Sequence, residues 1–352
     1  MTQTLPEKRE TIAFAMLYNV LPTDEIIDVD FNGYKILPFD LFLQRYNPHV
    51  AIMTSTGFWT YESIISDIRP RYVLVATYAH DKTGVLEIDN IPPQNMFNAF
   101  VNTLLYLRLF KQGDIQMGTF IVSYKDMNRA PWRNITHTNF VCFLPNPQYW
   151  DYQHSWIDYT LTATEAIKVL EFTNAFESKD FTKAKDILRS AGSFSRAHDT
   201  SDLFYKITNL VTVLENLLAD DGKDGEISFK MRTRLVFLLE DESLDDFIRN
   251  IYDLRSSISH KGDIVSSKFV KKFKKTHDRD FSYQDMFEYI NRLEKVCRQV
   301  LNYFLGKFIN EDIGDVQKIS TDLNKRMFTK LASNPTLGIN TEIATEATPQ
   351  SA

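Results

Sequence analysis

The sequence predicts an α+β protein in two parts: an N-terminal α+β domain with a mostly antiparallel sheet, residues 1–155, and a C-terminal all-α helical bundle, residues 156–332. Three observations predict it. Before about Asn146, short apolar runs alternate with turn signals, which is the rhythm of strands. From Thr162 onward the apolar residues recur at i, i+3, i+4 and i+7, the period of a helix. Between the two lies P-N-P-Q-Y-W-D-Y-Q-H, Pro145 to His154, where clustered turn residues mark a boundary.

The composition allows two buried cores. Of 352 residues, 43% are hydrophobic and 24% charged, and phenylalanine is the main aromatic. A formal net charge of -6 argues against a protein that coats nucleic acid through its overall field, though a local basic site is compatible with it. The two cysteines, Cys142 and Cys297, are too far apart to read as a metal motif, and no disulfide framework follows. A reducing, cytoplasmic compartment is expected. The first ten residues lack the apolar core of a signal peptide. No run of about 18 apolar residues occurs, so no membrane span is expected. There is no glycine-rich phosphate loop. No cofactor and no metal site is expected.

The N-terminal elements follow in order. Ile12 to Val20 is a predicted strand. Ile26 to Phe31 alternates apolar and acidic residues, and Asn32-Gly33 then offers a two-residue hairpin turn into Y-K-I-L-P-F. Further strands are predicted at Arg71 to Tyr78, Gly84 to Asp89, Gly118 to Tyr124 and Asn139 to Leu144. Met96 to Phe110 breaks the pattern and suits a helix through Phe97, Phe100, Val101, Leu104 and Leu105. His49, His80, His137 and His154 are scattered without ligand partners at useful spacing and read as structural. Thr56 to Tyr61, T-G-F-W-T-Y, reads as core rather than as a base-stacking platform.

In the second part, Thr162 or Thr164 caps a helix bearing Ala166, Val169 and Leu170, and a short helix follows from about Asp180 to Ser190. Ser201-Asp202 opens a strongly amphipathic run through Ile207, Leu210, Leu214 and Leu217. After the acidic loop Asp220 to Gly225 comes a helix from about Ser228 to Glu240. Ser243 is the expected cap of the next helix, with Asp245 and Asp246 at the positive end of its dipole. A lysine-rich loop or short helix and a long helix from about Ser282 to Ile309 complete the bundle. The polar tail, residues 333–352, is expected to be disordered.

One stretch carries chemistry: I-Y-D-L-R-S-S-I-S-H-K-G, Ile251 to Gly262. Arg255 offers a planar fork of donors that matches two phosphate oxygens. His260 titrates near neutrality and can exchange a proton with a 2′-hydroxyl or a leaving oxygen. On a regular helix the two residues lie roughly 140° apart in projection, so they meet only where the helix ends or across a symmetric dimer. Lys261, Lys268, Lys271, Lys272, Lys274 and Lys275 can attract a nucleic-acid backbone, although a charge run of this kind is more often a solvated face. Ser256, Ser257 and Ser259 lack the glycine-framed turn of a serine nucleophile.

Three blocks in order resemble the Apea-like branch of the HEPN superfamily. They are the Leu-Glu-x-Leu-Leu type pattern at Leu214 to Leu218, the Gly-Glu-Ile segment leading to a helix with Arg234 to Leu239, and a Tyr-x-x-Arg-Ser-x-x-x-His motif at Tyr252, Arg255, Ser256 and His260. The resemblance covers roughly Asp199 to Phe308. It implies a bundle of four or five helices that dimerises, with arginine and histidine from two protomers meeting in a cleft that cleaves RNA without metal and leaves a cyclic phosphate. Carried over, Arg255 stabilises the phosphate, His260 is acid or base, and Ser256 holds the polar position after the arginine, where many active relatives carry Asn, Asp or His. Lys261 separates His260 from Gly262, a departure from His-Gly. Glu215 matches an acidic position of the family and, with Tyr252, supports the motif. By analogy the setting is phage defence or toxin-like RNA restriction, with an N-terminal domain that senses a ligand or protein. The competing expectation is a non-catalytic module that binds RNA or a protein partner.

Overall fold

The structure is a computed structural model that describes residues 8–18, 20–21, 29–31, 33–46, 51–54, 57–60, 72–81, 93–126, 129–135, 159–200, 202–219, 227–261 and 267–333. It is an α+β fold with an antiparallel sheet and a helical C-terminal region.

The sheet is built on β1 (Lys8–Tyr18), which pairs antiparallel with β7 (Tyr72–Asp81) on one side and β8 (Gln116–Asp126) on the other. With β3 (Val29–Phe31), β4 (Tyr34–Pro38) and β9 (Arg129–Ile135) the order is β3-β4-β7-β1-β8-β9. Side chains alternate between the faces of a strand, and both faces of β1 are covered. Ala13, Ala15 and Leu17 enter the main core, whereas Ile12 and Phe14 pack with Phe39 and Phe42 of α1 (Phe39–Tyr46). That two-sided burial explains the unbroken apolar run in the sequence. The hairpin forms as expected: Phe31 pairs with Tyr34, and Gly33 takes a φ of 90°, which favours glycine. A separate pair, β5 (Ala51–Thr54) and β6 (Gly57–Thr60), takes in part of the T-G-F-W-T-Y stretch. The runs predicted at Gly84 to Asp89 and Asn139 to Leu144 lie outside the described residues, as do His49, His137 and His154.

Helix α2 (Pro93–Phe110) joins the two parts. Phe97 and Phe100 meet Phe120 of the sheet edge-on, and Tyr106 meets Phe172 and Phe176 of α3 (Ala163–Glu177). A helix leaves its last carbonyls without partners. Here side chains from the second part reach three successive carbonyls near that end: Tyr159 Oη donates to Leu107 O at 2.9 Å (an oxygen that also accepts from Lys111 N), Arg298 Nε to Arg108 O at 2.6 Å, and Asn302 Nδ2 to Leu109 O at 3.0 Å. Tyr159 lies in β10 (Tyr159–Thr160), a short strand parallel to β2 (Val20–Leu21). One hydrophobic core therefore runs from the sheet through α2 into the bundle.

In the bundle, Thr162 and Glu165 form a reciprocal capping box on α3. A 3-10 turn at Phe181–Ala184 leads into α4 (Lys185–His198). Asp202 caps α5 (Leu203–Leu218), the central helix, on which Ile207, Leu210, Val211, Leu214 and Leu217 are fully buried. Around it lie α6 (Ile227–Leu239), α7 (Ser243–Lys261), α8 (Ser267–His277), α9 (Tyr283–Glu311) and α10 (Val316–Ser333). Ser243 differs from its expected role: it is the first residue of α7, and the Asp241 carboxylate accepts from its backbone N–H and hydroxyl. The lysine-rich stretch is the helix α8, because Phe269 and Phe273 bury one face of it. Residues 334–352, expected to be disordered, lie outside the described residues. Among those residues, no helix is long and apolar enough to cross a membrane.

Candidate functional site

The candidate residues sit on two helices of the bundle. On α7, Leu244, Phe247, Ile248, Ile251 and Leu254 are buried and fix the rotation of the helix. Arg255 follows Leu254 at the rim of that face and is 27% exposed. Glu215 holds the matching rim of α5 at 22% exposure. The two meet directly, Arg255 Nη1 donating to Glu215 Oε1 at 2.5 Å. Tyr252, one turn before Arg255, donates its hydroxyl to the same oxygen at 2.7 Å. Burial, then the Glu215 carboxylate, pushes the Tyr252 hydroxyl far above the ordinary phenol range, so it stays a donor. The structure thus brings together Arg255, Glu215 and Tyr252, residues 37 to 40 apart in sequence across the two helices.

Helix α7 continues through His260 to Lys261. With about 100° per residue, the backbone positions of Arg255 and His260 face roughly 140° apart. Asp253, by contrast, lies seven residues before His260, about two turns, on nearly the same stripe of the helix. The side chains of Ser256, His260, Lys261 and Lys268 lie outside the described residues.

Helix α8 reaches α7 at Asp253. Lys272 Nζ donates to Asp253 Oδ2 at 2.9 Å. Phe269 and Phe273 anchor α8 against Phe281 and Tyr289. Lys271, Lys272, Lys274 and Lys275 are exposed, and Lys274 pairs with Asp280 at 2.9 Å. Lys272 therefore ties α8 to α7 at Asp253, whose backbone position faces away from that of Arg255.

A second polar cluster, absent from the sequence reading, lies buried where α2 meets the bundle. Arg108 is fully buried and donates to Ile115 O at 3.2 Å, to Ser195 Oγ at 3.0 Å and to Asp199 Oδ1 at 2.8 Å. Lys206 meets Asp114 at 3.2 Å, and Arg298 pairs with Glu294. His198 Nδ1 donates to Phe194 O at 3.0 Å, and its Nε2 lies 3.2 Å from Glu294 Oε1. Burial alone would raise the Glu294 carboxyl, but His198, Lys206 and Arg298 outweigh it and hold the group well below the ordinary carboxylate range. Burial likewise works against the charge on Lys206, and Asp114 and Glu294 overcome it.

Asp114, His198 and Glu294 offer ligand atoms within 4.8 Å of one another, a spacing a metal ion could use. The cluster supplies its own counter-charges, however. The carboxylates of Asp114, Asp199 and Glu294 face Arg108, Lys206 and Arg298. A divalent ion would have to displace the Lys206 and Arg298 cations that already pair with Asp114 and Glu294, so the residues do not suit one. The one signal in the sequence was Glu294 and Arg298 at i and i+4 inside the apolar stripe of Ile290, Leu293, Cys297 and Leu301.

No protein-family model, no curated protein and no solved structure matches this chain.

Proposed function

We propose that the helical part is a metal-independent endoribonuclease of the HEPN type, acting as a homodimer in the cytoplasm. The observation that carries the reading is Arg255, held partly exposed by a carboxylate that Tyr252 also anchors, all three from the constellation that the sequence motif singles out. An arginine fixed this way presents its remaining donors to a phosphodiester. Arg255 and His260 of one protomer lie on different faces of α7, so the reading places the arginine of each subunit against the histidine of its partner across a two-fold axis. His260 takes the proton of the 2′-hydroxyl as that oxygen attacks phosphorus. The bond from phosphorus to the 5′-oxygen breaks, that oxygen takes a proton from solvent, and a cyclic phosphate remains. The lysines of α8 hold the strand by its backbone. Phage defence or RNA restriction, with the N-terminal part as a sensor of a ligand or protein, is the setting this reading suits.

Incubation of the parent and of the His260→Ala protein with total RNA, followed by mapping of product ends, tests it. The parent should produce cyclic phosphate ends and the variant none, with unchanged thermal unfolding. Equal cleavage by both proteins, or none by the parent dimer, overturns the reading. A non-catalytic module that binds RNA or a protein is favoured by one observation: Arg255 is already engaged by Glu215 within its own subunit. RNA binding without cleavage would select it.

A further inference from the structure

Arg255 carries its own competitor. Among the described residues its hydrogen-bond partner is Glu215. The carboxylate is itself anchored, since Tyr252 donates to the oxygen that Arg255 uses. Two donors on one oxygen hold Glu215 in place, and side-chain exposures of 22% and 27% leave the ion pair open to solution. Arginine and glutamate together carry no net charge. An anion that comes to Arg255 must therefore approach a fixed carboxylate within a few ångströms. In a half-buried setting that repulsion is only partly screened.

We infer that Glu215 is an electrostatic gate on Arg255: it orients the guanidinium, and its charge lowers the affinity of the site for phosphate, so that a strand is held only when other phosphates are bound elsewhere on the protein. The inference rests on the RNA reading above and deepens it. An isolated phosphate or a mononucleotide gains little at a neutral pair. A polynucleotide also engaged by the exposed lysines of α8 brings its scissile linkage to Arg255 at high effective concentration. Orientation and gating separate experimentally, because glutamine keeps the accepting oxygen of Glu215 and removes its charge.

The test measures binding of a short single-stranded RNA to the full-length parent, Glu215→Gln, Glu215→Ala and Glu311→Gln proteins over a range of salt concentrations. Gating predicts that Glu215→Gln binds about tenfold tighter at low salt, and that its log affinity against log salt steepens by roughly 0.7, the increment for one more neutralised phosphate on a single strand. Glu215→Ala should show the same steepening with less gain in affinity, which keeps the test usable if the glutamine protein does not fold. Glu311→Gln removes a carboxylate from the last turn of α9, where it pairs with Lys307, and should leave the slope unchanged. An unchanged slope in both Glu215 variants, or weaker binding by Glu215→Gln, overturns the gate and leaves the nuclease reading standing. Binding without cleavage by the parent removes the nuclease reading and leaves the slope comparison intact. No binding by any of the proteins removes both.

Discussion

Arg298 donates through Nε to the main-chain oxygen of Arg108 at 2.6 Å, across 190 residues of sequence. The same guanidinium pairs with Glu294 and lies over the Phe194 ring, 5.6 Å from its centroid. One side chain thus caps the end of α2, neutralises a buried carboxylate and fills core volume. Arg298→Met should keep the volume and lose the other two roles. A buried ion pair broken on one side costs about 3–5 kcal/mol. A lower urea unfolding midpoint, by that energy divided by the slope of the transition, with little change in the slope itself, is the expected result.

Asp285 makes stability depend on acid. Its carboxylate is 3% exposed, accepts from Arg279 and closes a capping box with Ser282 on α9. The Arg279 guanidinium, with Ser282 against the opposing effect of burial, lowers its pKa from 3.8 to about 2. A depressed carboxylate contributes stability that is complete above its unfolded pKa and disappears as the pH falls through the folded one. The contribution, about 1–2 kcal/mol by linkage, should therefore fade between roughly pH 4 and pH 2. Asp285→Asn should be less stable than the parent at neutral pH and should show a shallower loss over that acid window. Unfolding curves measured at several pH values check both.

Arg255→Lys separates charge from shape. Lysine keeps one positive charge near Glu215 but lacks the planar fork. RNA cleavage should fall by at least about tenfold, as an oriented bidentate contact becomes a point charge. The unfolding midpoint should hardly move, because a partly exposed ion pair is worth only about 0–1 kcal/mol. Parallel cleavage assays and thermal melts give the two numbers.

Much of the fold was legible because its causes are local. The helical period from Thr162, the helix openings at Thr162 or Thr164, at Ser201-Asp202 and at about Ser282, and the Asn32-Gly33 hairpin signal each act within a few residues, and the observed caps are Thr162, Asp202 and Ser282. Ser243 misled because Asp241 beside it is an equally good acceptor, and side-chain acceptors two residues apart compete for the same free N–H groups. The sequence of α8 is compatible with a loop or a short helix, since its two core phenylalanines gain their partners only when Phe281 and Tyr289 are in place. The buried cluster of Arg108, His198, Lys206 and Glu294 went unread for a related reason. Charged residues are ordinarily taken for surface, and only their partners reveal that they are inside.

Helix α1, strand β9 and helix α10 were not legible in the sequence, but by itself it determined the helical period from Thr162, the strand rhythm of β1, β4, β7 and β8, and the amphipathic helix that carries Arg255. Those properties follow from periodicity and from side chains acting on their own backbone. Tertiary structure alone decided that Arg255 is met by Glu215, that Lys272 of α8 reaches Asp253 of α7, and that α2 is built into the core of the bundle. Such pairings depend on the rotation and offset of whole helices, which are set by the summed packing of many apolar residues and leave no mark at the positions that meet.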